Sequence, residues 1–202
     1  ADCILEIAPG FGRFTRFLKD YCRRLVIVDL TEQCIEACRV RFRDAAHIEY
    51  HTNDGRTLPM VDDRSVDFVF SFDSLVHVEH DAVTSYLFET ARVLRGDGIA
   101  FLHHSNMGAF LDPSTGGLTI QNRHWRAASV SAALVRSVSE SAGLSCVVQE
   151  IVNWGVPELT DCLSVITPRG SRFDGPPRTV ENPGFMDEAI RIGRIVQQYT
   201  VP

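Results

Sequence analysis

Lysine is almost missing from this 202-residue chain: Lys19 is the only one, and arginine supplies the remaining basic charge. Acidic residues outnumber basic ones, for a formal net charge of -6 at pH 7. A general nucleic-acid binder carries a basic face, so that class is set aside. No apolar run approaches the ~20 residues of a membrane helix, so no membrane span is expected. The six cysteines, Cys3, Cys22, Cys34, Cys38, Cys146 and Cys162, include no CxxC pair. Most sit in apolar runs, which reads as buried thiols in a reducing, cytoplasmic compartment. Cys34 and Cys38 share a helix face at i, i+4, but a zinc site needs two further ligands that the sequence does not offer. The chain opens on Ala1, not Met, with no visible signal peptide, so a missing N-terminal segment is expected. No repeat is present, and the length suits one domain over 1–202 with a substantial core.

What is present alternates. Apolar runs at 3–8, 24–28, 48–51, 66–72 and 99–103 read as strands, the fully apolar ones as buried strands. Between them, 13–21, 32–43 and 81–94 read as helices, with Thr31 as a cap and a turn at 95–98. This is β-α-β-α-β-loop-β-α-β, the pattern of a parallel sheet wound with helices. Residues 107–126 are rich in Gly, Pro, Ser and Asn without a clear period, which suggests a functional loop or lid. Ser129 can cap a helix over 130–142 that Gly143 closes. Two strands at 144–152 and 159–167 with a short joint should be antiparallel neighbours. Residues 168–184 read as a polar linker and 185–199 as an amphipathic helix.

Residues 4–15, ILEIAPGFGRFT, join a strand, a glycine turn and a helix start. Gly10 and Gly12 permit a tight turn, and free helix N–H groups then face a polar or anionic ligand. Asp29 ends the second strand, where an acid typically takes ribose hydroxyls. A dinucleotide fingerprint wants a third glycine, but that position is Thr15. Glu6 instead gives E-x-A-x-G-x-G, which resembles the first motif of class I S-adenosylmethionine (SAM) methyltransferases, with Ala8 in place of the usual first glycine. Residues 53–81, NDGRTLPMVDDRSVDFVFSFDSLVHVEHD, resemble that family's region around the third and fourth strands. The resemblance runs from residue 3 to about 167. It implies a Rossmann-like, doubly wound, mostly parallel seven-stranded sheet with an antiparallel last strand. It also implies SAM held by Glu6, Ala8, Gly10, Gly12, Asp29 and Leu30. Asp54 and Gly55 would flank the adenine, and Ser71 and Phe72 would lie beside the methionine part. The competing account is an unrelated Rossmann-like protein.

The acceptor is read from the strand ends. The amino-methyltransferases of DNA and glutamine resemble one another in an Asn/Asp-Pro-Pro-Tyr motif, absent from Ser71–Ser74. An alcohol acceptor needs a base to take its proton. The run FLHHSN, 101–106, ends the fifth strand on His103 and His104, and alternation sends the two to opposite faces. His104 is favoured as the base and His103 as a packing residue. His77, often a histidine in the family, is the rival; His80 and His124 read as surface residues. Asp73, Glu79, Asn106 and Asp161 could give oxygen ligands to a hard cation. Catechol-type methyltransferases, by resemblance, place Mg²⁺ near positions like Asp73 and Asn106.

The stretch after HHSN also resembles bacterial sugar and polysaccharide methyltransferases, including mycobacterial methylmannose polysaccharide enzymes. Amides, guanidiniums and indoles suit a sugar, so Asn122, Arg123, Trp125, Arg126, Asn153 and Trp154 are candidate contacts. The expectation is a SAM-dependent O-methyltransferase acting on a small hydroxylated acceptor, by preference a saccharide. Alternatives are a phenol or polyketide acceptor, or a methyltransferase-like binding subunit without turnover. A homo-oligomer is left open.

Overall fold

The computed structural model describes residues 1–197. Eight strands form one sheet: β1 (Cys3–Ile7), β2 (Arg24–Asp29), β3 (Ile48–Thr52), β4 (Val66–Ser71), β5 (Leu94–Ser105), β6 (Leu144–Val152), β7 (Asp161–Pro168) and β8 (Arg178–Asn182). Five helices connect or flank them: α1 (Thr15–Leu18), α2 (Glu32–Arg41), α3 (His80–Val93), α4 (Ala132–Ser141) and α5 (Phe185–Gln197). The strand order is β3-β2-β1-β4-β5-β7-β6-β8. β1 to β5 run parallel, and β7 lies antiparallel between β5 and β6.

All five residues of β1 are buried because helices cover both faces of a parallel sheet. Side-chain alternation divides them. Leu5 and Ile7 join Val26, Val69, Leu87 and Val135 in the core on one face, under α3 and α4. Ile4 joins Leu25, Ile27, Ile35, Cys38 and Phe42 on the other, under α2. The chain departs from β1 first toward β2 and β3, then returns to β4 on the other side. The strand order therefore reverses between β1 and β4, where ligands settle at the carboxyl edge of such sheets. Among the described residues, no helix is long and apolar enough to cross a membrane.

Several expectations change. The sheet has eight strands, not seven: β8 lies inside the expected 168–184 linker and pairs in parallel with β6. Its residues are mostly exposed, so burial left no apolar signal in the sequence. The 95–98 turn is absorbed into β5, and the β4–β5 register shifts between Val66 and Phe68. The cap of α4 is Ser131, whose hydroxyl accepts from Leu134 N–H at 3.1 Å, not Ser129. The helix expected over 13–21 is short, α1 followed by a single 3₁₀ turn. The final helix runs to Gln197, and its expected end at Tyr199 lies outside the described residues. The stretch 107–126 is built rather than structureless. It holds a 3₁₀ turn at Met107–Phe110, a bridge from Leu111 to Leu118, and an Asx turn on Asp112.

Candidate active site

The glycine turn after β1 curls because alternate residues take left-handed backbone: φ is +58° at Ala8, +56° at Gly10 and +78° at Gly12. At Gly12 a Cβ would also lie 2.5 Å from the Phe42 ring, so a side chain is excluded twice. Ala8 N–H donates to Val28 O at 2.7 Å, and Gly10 N–H to Asp29 Oδ2 at 3.2 Å. Asp29 Oδ1 accepts from the N–H and hydroxyl of Thr31, both at 3.0 Å. Thr31 thus starts α2 while orienting Asp29, and its own side chain makes no cap bond. Glu6 is buried at the end of β1 and accepts from the Thr15 hydroxyl at 2.6 Å. Burial pushes its carboxyl up to about 7, against the smaller opposing effect of the Thr15 bonds.

Two cavities flank this turn and share Ala8 and Ser74 as a common wall. The first, about 340 Å³, is lined by Ile7, Val28, Asp29, Leu30, Asp54, Gly55 and Tyr86 among others. The second, about 240 Å³, is lined by Glu6, Gly10, Arg13, Phe14, Phe70 and Phe72 among others. An acid over an apolar slot suits a nucleoside, and a carboxyl beside a glycine turn suits an amino-acid tail. The residues present therefore fit SAM across both halves. Asp54 shapes the first cavity through an Asx turn: it accepts from the N–H groups of Thr57 and Arg56 at 2.7 and 2.9 Å. Those bonds hold its exposed carboxyl below the usual range. Ser71, expected beside the methionine part, is fully buried and lines neither cavity. Tyr86, Ser74 and Arg13 are lining residues that the sequence reading missed. Tyr86 lies inside α3, where an aromatic residue reads as core; its hydroxyl accepts from Asn53 Nδ2 at 3.0 Å.

The acceptor side differs from expectation. His104 is buried, and both ring nitrogens are taken: Nδ1 donates to Ser105 O at 2.9 Å, and Nε2 accepts from the Ser164 hydroxyl at 2.8 Å. Burial lowers its pKa to about 4. A ring with no free nitrogen and no path to an acceptor is not the base, and that expectation is corrected. His103 is also fully buried, within 4.7 Å of the Phe72 ring and 4.8 Å of the Trp154 ring, centroid to centroid. His77, in contrast, is exposed on a 3₁₀ turn, Leu75–His77. Its Nδ1 donates to Trp125 O at 3.0 Å, so in the neutral ring the lone pair is on Nε2. Arg126 Nη1 lies 3.4 Å from that nitrogen, beyond a good hydrogen bond.

The expected Mg²⁺ ligands do not fit a cation. Asp73 faces guanidiniums, Arg13 at 3.2 Å and Arg126 at 3.9 Å. The single side-chain oxygen of Asn106 accepts from Ala132 N–H at 2.9 Å, at the start of α4. Glu79 accepts from Ser129, and Asp161 is paired with Arg126 at 2.7 Å. No cluster of three or more suitable ligands occurs among the described residues. The expected sugar contacts are not gathered either. Asn122 clamps the backbone of Arg126 through both its amide atoms, and Arg126 is buried. Arg123 bonds Gln121 on the surface, and Asn153 accepts from Met186 N–H. Trp154 packs among Phe72, His103 and Phe185, while Trp125 projects with 83% exposure.

Residues 5–102 match the model of a methyltransferase domain. A curated relative, phosphoethanolamine N-methyltransferase 1 of Caenorhabditis elegans, is 28% identical over 121 residues, 60% of this chain and 24% of that protein. The chain thus matches about a quarter of that relative's length. Among solved structures, the PH0226 protein of Pyrococcus horikoshii is similar, with a TM-score of 0.63 and 22% identity over 83% of this chain and 82% of that one. A SAM-dependent methyltransferase of Methanosarcina mazei has a TM-score of 0.62 at 14% identity, over 83% of this chain and 92% of that one. At such identities these structures speak for the fold alone. The domain match begins in β1 and ends in β5, taking in Glu6, the glycine turn, Asp29, Asp54 and the wall shared by the two cavities, so this part of the chain carries the methyltransferase domain.

Proposed function

We propose that this chain transfers a methyl group from SAM to a hydroxyl of a small acceptor, with a saccharide as the favoured class. The observation that carries the reading is His77, an exposed imidazole on the turn after β4 whose Nδ1 donates to the backbone carbonyl of Trp125, itself a residue with an exposed indole. Bound across the two cavities, SAM would supply an electrophilic methyl on a sulfonium. Asp29 would take ribose hydroxyls, and the Glu6 side of the turn would face the amino-acid ammonium. The acceptor oxygen would form the new bond to carbon as the carbon–sulfur bond breaks, its electron pair staying on sulfur. His77 Nε2 would take the acceptor proton, and Trp125 would cover an apolar sugar face. Holding the two reactants in line is the larger part of the work.

A second reading, N-methyl transfer to a small amine, is favoured by the name of the C. elegans relative. Phenol transfer and binding without turnover are the further alternatives. Isotope-labelled SAM offered with sugars, phenols and phosphoethanolamine separates all four by the mass of the product. Labelled sugar supports the proposal, and label on another acceptor, or on none, contradicts it. His77→Ala should then cut kcat by ~10²–10⁴-fold, the usual share of a general base, while SAM affinity holds. An unchanged kcat would remove His77 from that role.

A further inference from the structure

Three buried side chains form a chain of contacts that the proposed reaction does not use. Asp161, at the start of β7, has no exposed surface. Its Oδ2 accepts from His103 Nε2 at 3.0 Å and from Arg126 Nη2 at 2.7 Å. Its Oδ1 accepts from Arg126 Nε and from the Thr160 hydroxyl, both at 3.0 Å. A carboxylate paired with a guanidinium can only accept, so His103 carries its proton on Nε2. Its Nδ1 is then a bare lone pair, and it accepts from the backbone N–H of Asp73 at 3.1 Å.

That bond falls on an unusual residue. Asp73 has φ of +59°, a region that non-glycine residues rarely occupy. Its neighbours form the cofactor cleft. Phe72 and Ser74 line the second cavity, Ser74 also lines the first, and the Ser74 hydroxyl donates to Ala8 O at 3.1 Å. The turn at 72–74 is thus tied to the glycine turn on one side and to His103 on the other.

We infer that His103 is a positioning residue for the cofactor: Asp161, clamped by Arg126, fixes its tautomer, and its Nδ1 holds the 72–74 turn in the left-handed shape that walls both cavities. The inference rests on the reading that these cavities take SAM. His103 lines neither cavity and acts through Asp73. The arrangement also ties the acceptor side to the cofactor side, since Arg126 approaches His77 as well.

Substitution separates the two nitrogens. In His103→Asn the amide oxygen stands two bonds beyond Cβ, where Nδ1 stood, and can still accept from Asp73. In His103→Gln the amide nitrogen stands where Nε2 stood and can still donate to Asp161, but the acceptor for Asp73 is gone. Calorimetric titration with S-adenosylhomocysteine should give about tenfold weaker binding for the Gln variant, the worth of one strong hydrogen bond. The Asn variant should stay within about threefold of wild type whatever its thermal midpoint, because the loop bond survives. Equal affinity in the two variants would overturn the positioning role. A wild-type protein that binds no S-adenosylhomocysteine would instead overturn the SAM reading, and this inference with it. Should neither variant fold, nitrogen NMR of the wild-type ring decides: a proton on Nε2 and none on Nδ1 is expected, and the opposite tautomer overturns the inference.

Discussion

Ala8 takes the place of the first glycine in the methyltransferase motif that E-x-A-x-G-x-G resembles, and its backbone lies in the left-handed region at φ +58°. That conformation costs an L-residue ~1–2 kcal/mol, and glycine gives back part of the gain through its looser unfolded chain. Ala8→Gly should therefore stabilise the protein by about 1 kcal/mol, seen as a rise of about 2–4 °C in the thermal midpoint. A lower midpoint would mean that the methyl group packs well enough to repay the strain. Two buried titrating groups make a second residue-scale test. Glu6 is raised by burial from 4.5 to about 7, so the native state keeps a proton that the unfolded chain has lost. Its contribution is full below pH 4.5 and is lost as pH rises through about 7. His104 runs the other way: burial lowers it from 6.5 to about 4, so its contribution is present above pH 6.5 and lost as pH falls through about 4. The two slopes oppose each other in mildly acidic solution. In Glu6→Gln only the His104 slope remains, and the urea midpoint should fall more steeply from about pH 7 to about pH 5 than in wild type. Parallel profiles would contradict this. The glycine turn and its acids were legible because their function needs particular residue types at short range. The roles of His103 and His104 were not. Alternation separates the two rings, but their partners, Asp161 and Ser164, lie 58 and 60 residues further along the chain.

At the level of elements, the strands that pack on both faces announce themselves as apolar runs, and their ends fall within a few residues of expectation. β8 does not, because Arg178–Asn182 is held by backbone pairing to β6 and leaves its side chains mostly in water. α4 starts two residues later than expected because Ser129 and Ser131 are equally good capping types. The choice between them is tertiary: Asn106 Oδ1 accepts from Ala132 N–H, the first helical residue, while Ser129 bonds Glu79 and His80 at the start of α3. Ser131→Ala should cost ~1 kcal/mol as a lost N-cap, against a small change for the exposed Ser129→Ala. Urea denaturation of the two variants checks this, and a larger loss at Ser129 would return the cap to the position first expected. The lack of a period over 107–126 suggests a functional loop or a lid. That segment is pinned at its end by Asn122 on Arg126 and by Ala127 N–H on Val76 O at 2.8 Å.

For the whole molecule, the strand order decides where ligands can sit, and Glu6, Ala8, Gly10, Asp29, Leu30, Asp54, Gly55 and Phe72, expected to hold SAM, line the two cavities there, while Gly12 and Ser71 line neither. The candidate base instead moves from the fifth strand to the turn after the fourth, because β5 ends inside the protein against β7 and not at an open edge. Cofactor choice is tested most directly by binding. Calorimetric titration with SAM, its demethylated product and NAD should show saturable one-site binding of the first two and none of the third. Asp29→Ala should weaken SAM by about 1–3 kcal/mol, roughly five- to 150-fold, through loss of a charged hydrogen-bonding partner. Absence of SAM binding, binding of NAD in its place, or an affinity for SAM that Asp29→Ala leaves unchanged would contradict the account.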